Sequence, residues 1–231
     1  MNFNFVKLPE LDYDLKSVTI EGSRKYTTPE GKIYPSVTTI LSYSTDKTYL
    51  IEWRKRVGEE QANRIVKKSS GRGTKLHSIC EKYLLNELND MKIRMLMPDI
   101  KDFFLQLRPH IDENIGNVYG LEQALYSDRL RMAGRTDCIA EWKGKIAVID
   151  FKTSDKIKPE AWIENYFVQE MFYASAYYEM TRKPIKKLIT LMVTPGGEVE
   201  VFDKRNKEDY IKLLVRYIKE FVSHSTRPDG E

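Results

Sequence analysis

The chain of 231 residues has only two cysteines, Cys80 and Cys138. Two thiols exclude a disulfide framework and a cysteine-ligated iron–sulfur cluster, so a reducing, intracellular compartment is expected. No apolar run approaches the ~18 residues of a membrane span, and the first residues lack the basic and apolar regions of a secretory signal. Neither a membrane partner nor export is therefore expected.

The sequence also lacks internal repeats, low-complexity tracts and Pro/Gly/Ser-rich linkers, which favours one domain over residues 1–231. Hydrophobic residues make up 41% of the chain and charged residues 31%, so the chain can bury a core of useful size. The net charge of +4 permits a polyanionic partner without requiring one, because a local patch matters more than the total.

Residues 1–70 are predicted to form an N-terminal hairpin and helical arm. Short strands around a Gly-containing turn precede a helix that opens at Ser36, and helical spacing covers 49–68. The small and basic residues at 67–74 predict a loop, after which Thr74 caps the next helix.

A mixed α/β core is predicted over 71–205. Helical spacing over 98–117 changes to a period of two, which predicts an antiparallel meander of three strands at 121–127, 131–142 and 145–152. A helix over 159–180, a hairpin over 187–202 and a closing helix in the C-terminal segment 206–231 follow. Because each element has one apolar face, we expect a central mixed sheet flanked by helices.

The third strand of the meander carries two charged residues on an otherwise apolar face. Alternation places Asp150 and Lys152 on the same face as Ile146 and Val148. Burying either charge alone is costly, so the two form an ion pair, bind a metal or face a cleft. A second carboxylate, Asp137, lies on the preceding strand. Paired carboxylates repel unless a cation lies between them, so the pair indicates a divalent-metal site.

Flanking residues could converge on the same place, although each has a simpler interpretation. His77 lies at the border of a helical apolar stripe, where a structural histidine is also expected. Gln169 and Tyr173 are one turn apart on the long helix and could equally pack in the core. Likewise, Asp150 with Lys152 could be a strand-end salt bridge, and Asp137 could face water.

The ordered motifs Gly73-x-x-x-His77, Gly134-Arg-Thr-Asp137, Ile149-Asp-Phe-Lys-Thr-Ser154 and Gln169-x-x-x-Tyr173 resemble the RecB-like branch of the PD-(D/E)XK nucleases. Within that branch they are similar to the mitochondrial genome maintenance exonucleases and their phage relatives. The resemblance covers roughly residues 33–178. It implies a restriction-endonuclease-like core and a metal-dependent DNA exonuclease that acts in repair, recombination or replication.

The resemblance also implies roles for individual residues. Mg²⁺ or Mn²⁺ would be held by His77, Asp137, Asp150 and the Phe151 carbonyl. Glu122 matches an acidic position of the family and would hold a second metal ion or its water. Lys152 would position or deprotonate the nucleophile. Gln169 and Tyr173 would orient Lys152 or the substrate. Because imidazole suits Mn²⁺ better than Mg²⁺, activity with Mn²⁺ should at least match that with Mg²⁺. Glu122 could instead be an exposed residue at the start of a strand.

The resemblance implies that single-stranded DNA ends are the substrate. Basic and aromatic residues precede His77, where they could bind phosphates and stack on bases. Taken one at a time, each basic residue could instead be a solvated surface charge and each aromatic residue part of the core. The predicted DNA-binding residues are Ser36, Trp53, Lys68, Arg72, Lys75, Thr153 and Ser154. Tyr43 and Tyr49 lie in the same region.

Two alternatives remain open: a structure-specific or restriction-type endonuclease, and a nucleic-acid-binding module without catalysis. A monomer is favoured, and replication or recombination proteins are possible partners. The absence of an Arg-rich transit segment fits the cytoplasm of a bacterial or phage-infected cell better than the mitochondrial matrix.

Overall fold

The computed structural model describes residues 2–45, 47–205 and 208–225. The strands are β1 (Lys16–Ile20), β2 (Ser23–Thr27), β3 (Ile33–Pro35), β4 (Ile115–Ser127), β5 (Met132–Trp142), β6 (Lys145–Thr153), β7 (Lys187–Val193) and β8 (Val199–Lys204). The helices are α1 (Val37–Ser44), α2 (Thr48–Val57), α3 (Glu59–Leu84), α4 (Asp90–Arg94), α5 (Pro98–Asn114), α6 (Glu164–Thr181) and α7 (Glu208–Ser225).

A five-stranded mixed sheet forms the centre, in the order β4-β5-β6-β7-β8. The pairs are antiparallel except β6 with β7, which run parallel and are joined by the crossover helix α6. The predicted α/β class, with a mixed sheet flanked by helices, is confirmed.

Helices cover both faces of this sheet, which explains why its strands are so apolar. On one face, Ile149 and Phe151 pack against residues of α3 and α5, such as Leu76 and Phe104. On the other face, Val148 packs with residues of α1, α6 and α7. Successive residues of β6 therefore enter different cores, as the period of two requires.

The N-terminal region forms a second, three-stranded sheet in the order β1-β2-β3. Tyr26 and Tyr34 bury their rings against Ala124 and Ala133 of the central sheet. Leu8 and Leu11 enter the same core as α6. The division of the chain into an arm, a core and a C-terminal helix stays a prediction, and residues 206, 207 and 226–231 of its last segment lie outside the described residues.

The predicted loop at 67–74 is wrong, because α3 is continuous from Glu59 to Leu84. The Thr74 hydroxyl donates to the Ser70 carbonyl one turn earlier, inside the helix, instead of capping a new one. The helical region predicted over 49–68 breaks instead at Gly58, where φ is 84°. That left-handed conformation suits glycine and ends α2.

Packing explains why the small residues within α3 remain helical. A glycine inside a helix costs only about 1 kcal/mol relative to alanine. Ala62 on one side of this stretch and Leu76 on the other are completely buried, so both ends of the helix are held. The burial of the flanking turns outweighs the weak local propensity.

Two further boundaries differ from prediction. Strand β4 begins at Ile115, six residues earlier than the predicted 121–127, because α5 ends at Asn114 and the chain becomes extended at once. The helix predicted over 159–180 divides into a 3-10 turn at Glu160–Trp162 and α6, which begins at Glu164. Among the described residues, none of the helices has the length and apolar character to cross a membrane.

Candidate active site

Asp150 and Lys152 lie next to each other on β6, two residues apart on the face covered by α6. Lys152 Nζ donates to Asp150 Oδ1 at 2.8 Å and lies 2.6 Å from Oδ2. Burial alone would lower the pKa of Lys152, but the carboxylates of Asp150 and Asp137 outweigh it and raise the pKa. Lys152 is therefore an ammonium ion at neutral pH, held against a buried carboxylate.

Asp137 comes from β5 and is tied to β6 through the backbone. Its Oδ2 accepts a hydrogen bond from the Phe151 amide at 3.0 Å. Burial raises the pKa of Asp137, and the nearby Asp150 carboxylate raises it further, whereas His77 and Lys152 oppose the rise. The two carboxylates are thus close enough to repel, which is the situation that a bound cation relieves.

Glu122 reaches the same place through a strained backbone. It lies within β4 rather than at the start of a strand, and its φ of 45° is in the left-handed region. A glutamate in this conformation is uncommon, costs about 1–3 kcal/mol and persists only where the surrounding structure enforces it. Burial raises the pKa of Glu122 to about 6, and the Asp137 carboxylate adds to the effect.

Helix α3 supplies His77 from the opposite face of the sheet. Its Nε2 lies 2.5 Å from the Phe151 carbonyl oxygen, and its Nδ1 lies 3.4 Å from Asp137 Oδ1. One turn earlier, Gly73 passes the end of β6, where a Cβ would lie 3.9 Å from the Thr153 hydroxyl. The four-residue spacing of Gly73 and His77 thus puts both along β6.

The residues that meet here fit a divalent cation. One potential ligand atom from each of His77, Glu122 and Asp137 lies within 4.8 Å of the other two. Asp150 Oδ2 is buried beside this group and is paired with the Lys152 ammonium, 2.6 Å away. Carboxylate oxygens with one imidazole are a donor set for Mg²⁺ or Mn²⁺.

The structure therefore brings most of the predicted ligands together. His77, Glu122 and Asp137 form one group, and the Phe151 carbonyl lies against His77. Asp150 differs, because its carboxylate is turned toward Lys152. Whether each residue binds a metal stays a prediction.

Gln169 and Tyr173 support β5. Gln169 Nε2 donates to the Tyr173 hydroxyl at 3.2 Å, which in turn donates to the Arg135 carbonyl at 2.8 Å. A Cβ on Gly134 would lie 2.9 Å from the Tyr173 ring, so only glycine allows this approach. These contacts hold the strand that carries Asp137, whereas the ring beside Lys152 belongs to Tyr166, 5.0 Å from Nζ.

The predicted basic residues line two grooves next to the end of β6. Lys68, Arg72 and Lys75 line one groove, of about 530 Å³. Arg72 also lines a second groove, of about 980 Å³, with Thr153 and Ser154. Arg72 Nη2 lies 2.9 Å from Asp155 Oδ1, and its guanidinium covers the Phe103 ring.

Other predicted DNA-binding residues lie in different surroundings. Ser36 is only 2% exposed and caps α1 by accepting a hydrogen bond from the Thr39 amide, which favours a structural role. Trp53 is half-buried on α2. Tyr43 contacts Phe221 of α7, with ring centroids 5.6 Å apart. DNA contact by Ser36 or Trp53 stays a prediction.

Sequence reasoning did not single out Glu170, a completely buried residue of α6. The Thr190 hydroxyl donates to its Oε1, and no described residue bonds its Oε2. Burial raises the pKa of Glu170 well above its ordinary value, with Asp150 as the next cause. A glutamate one residue after Gln169, within a helix that is apolar on several sides, was the available signal.

Known proteins match this chain over much of its length. The sequence profile of the PD-(D/E)XK nuclease superfamily matches residues 51–224. Mitochondrial genome maintenance exonuclease 1 of Homo sapiens is 30% identical over 152 residues, covering 62% of this chain and 41% of the human protein. Its Xenopus tropicalis counterpart is 32% identical over 167 residues, covering 68% and 47%.

A shorter match involves one subunit of the ATP-dependent helicase/nuclease of Clostridium beijerinckii, which is 30% identical over 78 residues, 33% of this chain and 6% of that protein. The profile covers well over half of the chain, so the chain belongs to the PD-(D/E)XK nuclease superfamily. The predicted resemblance to its RecB-like branch and to the mitochondrial exonucleases is confirmed. The chain spans less than half the length of the human and Xenopus relatives.

Proposed function

We propose that this protein is a divalent-metal-dependent DNA exonuclease that hydrolyses phosphodiester bonds at single-stranded ends. The observation that carries the proposal is the group of His77, Glu122 and Asp137 beside the buried Asp150–Lys152 pair. Superfamily membership supports nuclease chemistry. The names of the two mitochondrial relatives support an exonuclease.

Each residue has a role that its position supports. His77, Glu122, Asp137 and Asp150, with the Phe151 carbonyl, would hold the ion. A divalent ion there would polarise the phosphate and lower the pKa of a water molecule. The ammonium group of Lys152 would offset the negative charge that develops on the phosphate, since its raised pKa keeps it protonated. Gln169 and Tyr173 would act indirectly, by holding β5 and therefore Asp137 in place.

The test uses purified protein with Mn²⁺ or Mg²⁺ and linear single-stranded DNA labelled at the 5′ or the 3′ end. A circular single strand of the same sequence is the substrate control. We expect loss of the linear strand but not of the circle, with Mn²⁺ at least as effective as Mg²⁺ because one donor is an imidazole. The label that is released first gives the polarity.

An Asp150→Asn variant identifies the site. Replacing this proposed metal ligand by an amide should reduce the rate by about 10²-fold or more, because the ion that would stabilise the transition-state charge is held less well. Asp209→Asn is the matched control, since Asp209 is an exposed residue of α7, a helix that contributes none of the proposed site. Equal activity of Asp150→Asn and Asp209→Asn would reject the assignment.

Two other outcomes correspond to the alternative functions. Cutting of the circle would make the protein an endonuclease, and DNA binding without metal-dependent cutting would make it a binding module. A role in repair, recombination or replication, a bacterial or phage-infected cytoplasm, a monomeric state and associated replication proteins are further parts of this proposal. They rest on the resemblance and the composition.

A further inference from the structure

Two large aromatic side chains are unusually exposed beside the end of β6. Tyr49, at the start of α2, is 73% exposed, and Trp162, in the 3-10 turn before α6, is 70% exposed. Leaving a tryptophan in water forgoes the favourable burial of a large apolar surface, so such exposure indicates a binding surface. Both residues line the same groove.

The groove begins where the catalytic strand ends. Thr153, directly after Lys152, forms part of its wall. Its volume of about 980 Å³ is at the upper end of the range for ligand-binding sites, enough for more than one small planar group. A molecule in the groove would therefore adjoin the Asp150–Lys152 pair.

Positive charges accompany the two rings. Lys156 and Lys158 belong to the connection between β6 and α6, and Arg72 reaches the groove from α3. Asp155 offsets part of this charge through its contact with Arg72 at 2.9 Å. Cationic side chains interleaved with exposed rings match a strand with anionic phosphates and planar bases.

We propose that Tyr49 and Trp162 form a base-stacking site for unpaired nucleotides next to the scissile phosphate. This inference rests on the proposed function and adds the residues that select a single strand. In a duplex, base faces are covered by neighbouring base pairs, whereas an unpaired base can lie against a protein ring. Stacking on these rings therefore favours a single strand over a duplex of equal charge.

Binding measurements separate stacking from charge. In the Asp150→Asn background, fluorescence anisotropy gives the Kd of labelled oligothymidine and of an abasic deoxyribose-phosphate chain of the same length. We expect Trp162→Ala to weaken oligothymidine binding roughly 5- to 150-fold, the range for one lost base–ring stack. The Kd of the abasic chain should not change, since it has phosphates but no bases.

Matched variants exclude a structural cause. Trp162→Phe retains a ring and should keep most of the affinity, and Tyr49→Ala should behave like Trp162→Ala. Tyr178→Ala removes a half-exposed tyrosine that lines a different groove and should leave both Kd values unchanged. Thermal melts of all variants check that each is folded.

Three results would overturn the stacking site: unchanged oligothymidine binding in Trp162→Ala, equal weakening for the abasic chain, or equal weakening for a blunt duplex. These readouts do not depend on cleavage. Failure of the wild-type protein to cut DNA would reject the proposed function alone, whereas normal cutting with unaffected binding in Trp162→Ala would reject the stacking site alone.

Discussion

Gly134 of β5 provides a sharp test of how the site is held together. A Cβ at this position would lie 2.9 Å from the Tyr173 ring and 3.1 Å from Val37. Tyr173 cannot easily move away, because it is buried and its hydroxyl donates to the Arg135 carbonyl. The Gly134→Ala substitution therefore forces the strand and α6 apart.

The expected cost follows from two opposing effects. Adding a methyl group to a packed core costs about 1–3 kcal/mol. Alanine also restricts the unfolded chain more than glycine does, which raises the free energy of unfolding by about 0.4–1 kcal/mol. The middle of each range gives a net loss of about 1.3 kcal/mol, or roughly 3–5 °C in Tm for a chain of this size. Nuclease activity should fall with it, because β5 carries Asp137.

Gly71→Ala is the matched control, because this glycine-to-alanine change should increase stability instead of lowering it. Gly71 lies inside α3, its φ is not left-handed, and an added Cβ would meet nothing within 4 Å. Alanine should stabilise the helix by about 0.5–1 kcal/mol. It also tests whether α3 is continuous, because a loop at 67–74 would give no such gain.

Thermal melts and urea titrations of the two variants and the wild type, each without and with Mn²⁺, measure the differences. A Gly134→Ala protein with wild-type Tm and activity would contradict this packing, since Tyr173 could not then lie against the strand. A destabilised Gly71→Ala protein would equally contradict the continuous α3.

Three further predictions concern the same region. The pKa of Glu122 is raised from 4.5 to about 6 in the folded, metal-free protein. The stability that this shift contributes is fully present below pH 4.5 and is lost as pH rises through about 6. Mn²⁺ binds the deprotonated carboxylate, so the increase in Tm that Mn²⁺ causes should grow from about pH 5 to about pH 7.5. The same increase in Tm at both pH values would contradict Glu122 as a ligand. Burial and Asp150 favour a protonated Glu170, so the free energy of unfolding of Glu170→Gln, from urea titrations, should equal that of the wild type at acidic pH and exceed it at alkaline pH. A lower free energy of unfolding at both pH values would count against a neutral carboxyl group. Tyr173→Phe should lower the free energy of unfolding by about 1 kcal/mol through the lost hydrogen bond to Arg135, and no change in urea midpoint would place that hydroxyl outside the network.

The sequence identified the carboxylates and the lysine because their signal is local. Asp150 and Lys152 interrupt an apolar face at a period of two, and the structure keeps them adjacent on that face. A glycine inside a strand, such as Gly134, indicates a point of close backbone approach, and Tyr173 is the residue that approaches. Local alternation and glycine chemistry were enough for these inferences.

Glu122 and Glu170 show where local reasoning ended. The left-handed backbone at Glu122 has no sequence signal, since glutamate disfavours that conformation and only surrounding contacts can enforce it. Glu170 could be placed on α6, but its burial beside Thr190 depends on how the helix packs on β7. Similarly, Trp162 lies outside the long helix that was predicted over 159–180, because the chain forms a separate 3-10 turn before α6 begins.

By itself, the sequence determined the α/β class, the strands of the central sheet and the family, and it singled out the candidate site residues, because periodicity and short motifs depend on neighbours along the chain. The tertiary structure alone decided the continuity of α3, the turn of Asp150 toward Lys152, and the meeting of His77 with Asp137 and Glu122. These features come from contacts between distant segments, whose burial outweighs local preferences of about 1 kcal/mol per residue.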